Sequence, residues 1–114
     1  MPSNALPPDR RIRRRREFQR VFDGGRRVHG RHLTIIAAPA KGTDSRLGIV
    51  ASKKLGGAVV RNRAKRLIRE MFRTNLGPGP ATDLVVIPKP SSVTAQTVEL
   101  IRDYCATLKR LSRP

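Results

Sequence analysis

Apolar positions recur along this chain in two rhythms, a helical one and a strand-like one, and together they mark its elements. The clearest is helical. Over Ala58 to Thr74, the residues Val60, Ala64, Leu67, Ile68 and Met71 fall on one stripe at about 100° per residue. Gly56 and Gly57 make the turn that leads into it. Upstream, Leu33 to Ala38 is rich in β-branched residues and predicts a strand. Pro39 to Ser45 is turn-like, and Arg46 to Ser52 predicts a second strand, pairing antiparallel with the first through that loop. Asp83 to Pro88 is almost continuously apolar, as expected of a strand buried on both faces. A last helix, Ala95 to Leu111, places Val98, Ile101, Cys105 and Leu108 at helical spacing, with Ser91 to Thr94 offering its N-cap. Near the start, Glu17 to Phe22 reads as a short helical turn or two that Gly24 and Gly25 end. On it Phe18 and Phe22, four apart, share a face.

Breakers delimit the rest. Met1 to Asp9 carries Pro2, Pro7 and Pro8 and reads as a disordered lead-in, which leaves residues 10–114 as a single domain. Asn75 to Thr82, with Gly77, Pro78, Gly79 and Pro80, reads as a loop. The expected order is α-β-β-α-β-α, an α+β two-layer sandwich with one mainly antiparallel sheet. Its third strand returns after a helix and can lie parallel to a neighbour across a crossover, which is normally right-handed.

Charge changes this picture from a fold to a binding protein. Lys and Arg total 25 against 8 acidic residues, a formal +17 over 114 residues. Self-repulsion at that density makes a polyanion the expected partner. Arg dominates over Lys, which suits bidentate phosphate contacts. A membrane surface is the rival, but that mode wants a basic helix with exposed large apolar residues. No apolar run reaches the roughly 20 residues that span a bilayer, and Met1 to Arg16 lacks the apolar stretch of a secretory signal. The single cysteine, Cys105, fits a reducing cytosol, hence a cytoplasmic protein, and reads as a small buried helix residue. One Cys with His29 and His32 cannot fill a zinc shell.

The charge is concentrated where the helix is most regular. Opposite its apolar stripe, Lys65, Arg69, Asn62, Arg73 and Arg66 form one arc, flanked by Arg61 and Arg63, with Glu70 the sole acid. Lys53 and Lys54 sit just before the glycine turn, where backbone N–H groups and a helix N-terminus attract anions. Phe18 and Phe22 have two readings, packing on the core or stacking against unpaired bases, the latter about 1–3 kcal/mol per base. His29 and His32 are expected at the surface. Asp23, Asp44, Asp83 and Asp103 are scattered, which argues against a paired-carboxylate or two-metal nuclease. No catalytic constellation emerges, and no metal site.

One block is specific enough to name a family. Ser52-Lys53-Lys54, Gly56, Ala58-Val59, Arg61-Asn62, Lys65-Arg66 and Arg69-Glu70 fit the pattern SKK-x-G-x-AV-x-RN-x-x-KR-x-x-RE, with Arg46 to Ala51 running into it. This resembles the bacterial ribonuclease P protein subunit. Arg15 to Gly25 is similar to that family's first helix, and Asp83 to Pro88 to its last strand, so the likeness covers roughly residues 10–111. The resemblance implies a fold like the second domain of ribosomal protein S5, with a left-handed βαβ crossover against the usual rule. It implies a catalytic RNA subunit as partner and removal of the 5′ leader from precursor tRNA, by metal-bound water at the RNA. Mg²⁺ would be held mainly by the RNA, and this chain would supply no catalytic residue. Lys53, Lys54, Arg61, Asn62, Arg63, Lys65, Arg66, Arg69 and Arg73 would contact the catalytic RNA. Phe18, Phe22, Arg15 and Arg16 would line a cleft for the single-stranded leader. Family members often carry an aromatic on the first strand's cleft face, and Leu33 to Ala38 has none. Two other classes compete, a structural RNA-binding protein without a leader cleft and a protein-only nuclease with clustered acids.

Overall fold

The computed structural model describes residues 10–75 and 81–112. Three helices and four strands run in the order α1 (Arg15–Gly24), β1 (Arg26–His29), β2 (Leu33–Pro39), β3 (Arg46–Ile49), α2 (Ala58–Thr74), β4 (Thr82–Pro88) and α3 (Thr97–Leu111). Single 3-10 turns at Lys53–Leu55 and Pro90–Val93 precede α2 and α3. The expected lead-in, Met1 to Asp9, lies outside the described residues, as does most of the Asn75 to Thr82 loop.

The α+β class holds, but the strand list and the pairing need correcting. Sheet order is β1-β2-β4-β3. The additional strand β1 pairs antiparallel with β2 and buries one residue of its four, Val28, so it carried no apolar rhythm. The two strands expected to pair with each other do not touch, because β4 lies between them. It runs antiparallel to β2 and parallel to β3. The parallel pair is the one joined through α2, which makes β3-α2-β4 the crossover unit. As the central strand, β4 is covered on both faces, which explains its unbroken apolar run.

Alternation along the strands sends side chains to two layers. Leu33 and Ile35 of β2, Leu47 of β3, and Leu84 and Val86 of β4 pack with Ile68, Met71 and Phe72 of α2 and Leu100 and Tyr104 of α3. Ile36, Ala38 and Val85 face the other way, onto Val21, Phe18 and Phe22 of α1 and onto Ile12. The α3 face is rotated from the expected one. Leu100, Tyr104 and Thr107 are buried, while Val98 and Ile101 are 55% and 38% exposed. The two expected positions lie one residue round the helix, on its solvent side. Ser91 to Val93 belong to the 3-10 turn Pro90–Val93, with Thr94 closing it, and the N-cap of α3 is Gln96.

Helix α2 begins and ends where its sequence pattern predicts. Gly56 has φ +137°, a left-handed-side conformation that L side chains rarely adopt, and it breaks the chain direction just before the helix. At the far end Asn75 covers the Met71 carbonyl through both its backbone N–H (3.0 Å) and its side-chain amide (3.1 Å). Of the expected stripe, Ile68 and Met71 are buried but Val60, Ala64 and Leu67 only partly, and Phe72 replaces them in the core.

Candidate nucleic-acid interface

Three acids of this chain, Glu17, Asp83 and Asp103, are engaged within the fold. Asp83, fully buried at the start of β4, accepts two hydrogen bonds from the Arg46 guanidinium (3.1 and 2.8 Å) and is also paired with Arg20 of α1. Arg46 reaches on to Glu17 of α1 at 2.7 Å. The Glu17 carboxylate also accepts the Arg14 backbone N–H at the helix start. The hydrogen bond from Arg46 holds the Glu17 carboxyl down at about 2, and its two carboxylate partners push the Arg46 guanidinium up. This network ties α1 to the sheet at the end where β3 and β4 begin. Above it, Phe18 lies against the backbone of β3. A Cβ at Gly48 would come within 2.7 Å of the Phe18 ring, so only glycine lets the ring seat there.

Asp103 of α3 does comparable work elsewhere. Its carboxylate accepts the backbone N–H groups of Arg31, His32 and Leu33 at 2.7, 2.8 and 3.0 Å. His32, expected at the surface, is buried, with Nδ1 2.9 Å from the Ser91 hydroxyl. Its neighbour His29 is exposed as expected, and its Nδ1 lies 3.0 Å from the Thr34 hydroxyl. Cys105 is half-buried beside Asn75. Among the described residues no three His, Cys, Asp or Glu side chains converge. The described side chains therefore do not fit a protein-held Mg²⁺.

The α2 edge is built the other way. Asn62, Arg63, Arg66 and Arg73 are exposed, Arg61, Lys65 and Arg69 are half-buried, and Lys53 and Lys54 are exposed on the preceding turn. Of these, Arg73 is engaged by Glu70, at 2.5 and 3.2 Å. The others make no ion pair among the described residues. The N-terminal segment adds cations that the helical wheel could not show. The backbone of Ile12 donates to the Leu47 carbonyl (2.9 Å), laying the segment along β3. Arg11 and Arg13 thereby join Lys65 and Arg69 around a hollow of about 230 Å³ floored by Ile12, Leu47 and Ile49. Four cations and no acid line it. Partial burial, then the neighbouring charges of Arg11 and Arg66, push the Arg69 guanidinium down from its ordinary value. Such crowding of like charge is relieved by an anion.

A third region lies between α1 and the sheet. The Phe18 and Phe22 rings are 6.3 Å apart, tilted by 38°, and each is only half-buried. Both readings of these residues therefore meet in one place: they pack on Ile36 and Val85 and still present surface. Beyond α1 the same sheet face continues through Thr34, Ile87 and Val50. Arg15, three residues before Phe18, shares the aromatic side of the helix. Arg16 does not. It lines a separate basic hollow with Arg14, Arg20, Lys41, Arg46 and Glu17, on the flank tied to Asp83.

A family model for ribonuclease P matches residues 6–112. The chain belongs to the ribonuclease P protein family. The ribonuclease P protein component of Syntrophus aciditrophicus is 36% identical over 111 residues, covering 96% of this chain and 93% of that protein. The RNase P protein of Staphylococcus aureus superposes with a TM-score of 0.83 at 34% identity, covering 90% of this chain and 95% of that one. The RNase P protein from Thermotoga maritima gives 0.80 at 31%, covering 90% and 98%. As a ribonuclease P protein, the chain is a subunit of a ribonuclease holoenzyme and has an RNA partner. No described helix is long and apolar enough to cross a membrane.

For a ribonuclease P protein the division of charge makes sense, and it shows what local sequence patterns miss. Arg11 and Arg13 are visible there only as part of a basic run, and the signal that could have placed them is the apolar Ile12 between them. The tie of Arg20, Arg46, Glu17 and Asp83 joins residues up to 66 positions apart, beyond any local pattern.

Proposed function

We propose that α2, its leading turn and the Arg11–Arg13 segment form the seat for the catalytic RNA, and that the hollow between α1 and the sheet holds the 5′ leader of precursor tRNA. The observation that carries this is the cationic edge on which Glu70 pairs with Arg73 alone: Lys53, Lys54, Arg61, Arg63, Lys65, Arg66 and Arg69 have no carboxylate partner among the described residues, whereas Asp83, Asp103 and Glu17 are held inside the fold. Arg guanidinium groups bind phosphates in bidentate fashion, and Asn62 can read a phosphate, a 2′-hydroxyl or a base edge. Phe18 and Phe22 offer half-exposed rings to unpaired bases, with Arg15 beside them for a phosphate. A structural RNA-binding protein would need the first surface and not the second.

In this reading the protein contributes no reacting group. It raises affinity for precursor over mature tRNA, because only the precursor has a leader to contact, and it neutralises phosphates that otherwise call for Mg²⁺. The catalytic Mg²⁺ is held by the RNA, and the assembly works in the cytoplasm. The test is reconstitution with a candidate catalytic RNA and precursor tRNA at low magnesium. Arg61→Ala with Asn62→Ala and Arg63→Ala is expected to weaken RNA-subunit binding by roughly 100-fold. Its thermal unfolding should stay close to the parent, since Asn62 and Arg63 are exposed and the half-buried Arg61 makes no ion pair among the described residues. A triple variant that assembled and stimulated cleavage normally would overturn the assignment of α2.

A further inference from the structure

The sheet face beside α1 runs from β3 across β4 and β2 to β1, and the strand register says what stands at each end. One end lies by Val50, the turn carrying Lys53 and Lys54, and the start of α2. The other end is β1. Arg27 pairs with Ile36 and His29 with Thr34. Directly paired residues share a sheet face, so Arg27 and His29 stand on the α1 side, level with the floor of the hollow. Both are exposed.

Two more cations border this edge. Arg31 is exposed in the turn between β1 and β2, and Arg110 of α3 donates across to the His29 carbonyl at 3.0 Å. The acids nearby are already engaged. Asp103 holds the three backbone N–H groups of that turn, and Glu99 lies 3.6 Å from His32. Among the described residues no ion pair joins Arg27, Arg31 or Arg110 to a carboxylate.

We infer that the β1 edge is the exit of the leader path, where Arg27, Arg31 and Arg110 hold phosphates of the leader nucleotides upstream of those in the hollow. This rests on the leader reading above. The cleavage junction lies with the catalytic RNA, hence at the α2 end, so the distal part of the leader runs across β4 and β2 and leaves over β1. Apart from the His29 imidazole, whose Nδ1 lies 3.0 Å from the Thr34 hydroxyl, the residues named at this exit are arginines. The exit therefore grips the backbone and is indifferent to base sequence.

The experiment compares precursor tRNAs in the reconstituted holoenzyme. One carries a short leader that ends on the sheet face beside α1 before β1, and the other a leader several nucleotides longer that runs past β1. The parent protein should bind the longer leader more tightly. Arg27→Ala with Arg31→Ala should remove that increment, roughly tenfold, while leaving the short-leader affinity unchanged. The salt dependence of long-leader binding should become shallower by about 0.7 in log–log slope for each phosphate no longer neutralised. If the double variant keeps the full increment, or the parent gains nothing from the longer leader, the exit is wrong and the leader hollow still stands. If the parent does not distinguish a short-leader precursor from mature tRNA, the hollow itself fails.

Discussion

The α1 flank and the α2 edge are both rich in arginine and use it in opposite ways. On the α1 flank Arg20 and Arg46 converge on a fully buried Asp83 and on Glu17, and the result is a fastened helix. On the α2 edge Arg11, Arg13, Lys65 and Arg69 surround a hollow with no carboxylate, and the result is a surface with unmet charge. A cation inside an acid network is part of the scaffold, and a cation crowded by other cations is what the proposed RNA seat is made of. With 8 acids against 25 cations, where the acids go decides which surfaces remain positive.

The strongest way to break this comparison is to remove the acid at the centre of the flank. Asp83→Ala leaves Arg46 and Arg20 unpaired beside the core and is expected to cost about 3–5 kcal/mol in urea unfolding. A loss as small as that of a surface substitution would mean that the flank is no more fastened than the α2 edge. Next in size is the aromatic pair that the fastened helix presents. Phe18→Ala with Phe22→Ala should weaken binding of leader-bearing precursor by about 1–3 kcal/mol per stacked base, with mature tRNA bound as before. Equal loss for both substrates would reduce these rings to packing. The smallest effect is electrostatic. Glu17 has its folded pKa held at about 2, below the ordinary 4.5, so its pairing stabilises the protein above pH 4.5. That contribution is lost as pH falls from there towards 2. Glu17→Gln should therefore flatten the stability profile in this acid window by about 1 kcal/mol and leave neutral RNA binding unchanged. An unaltered acid profile would show that the Arg46 contact adds nothing.

Much of the α2 edge was legible because a helix exposes its logic locally. Seventeen residues between Gly57 and Asn75 hold their stripe and their arc within a few turns of one another. The flank was not legible, because Glu17, Arg46 and Asp83 meet only through tertiary structure. β1 escaped because Arg26, Arg27 and His29 are exposed and Val28 alone is buried, which leaves no alternation to detect. The strand pairing was misjudged for a similar reason: a short loop between β2 and β3 suggests a hairpin, and only the arrival of β4 separates them. On α3 the buried face includes Thr107 and the Tyr104 ring, so a search for aliphatic residues at helical spacing found Cys105 and Leu108, which pack at its border, but also the exposed Val98 and Ile101.

The central place of β4 has a consequence for how the chain reaches this fold. It pairs Leu33 with Pro88 and Arg46 with Asp83, so β2 and β3 have no common neighbour until the last third of the chain is available. During synthesis the ribosome releases the whole of α2, with its cations and an uncovered apolar stripe, before the strand that completes the sheet. Such long-range closure is slow compared with helix formation. The nascent chain is therefore a basic, partly folded polymer, and under the proposed assignment of α2 its RNA-binding helix is complete before the sheet is.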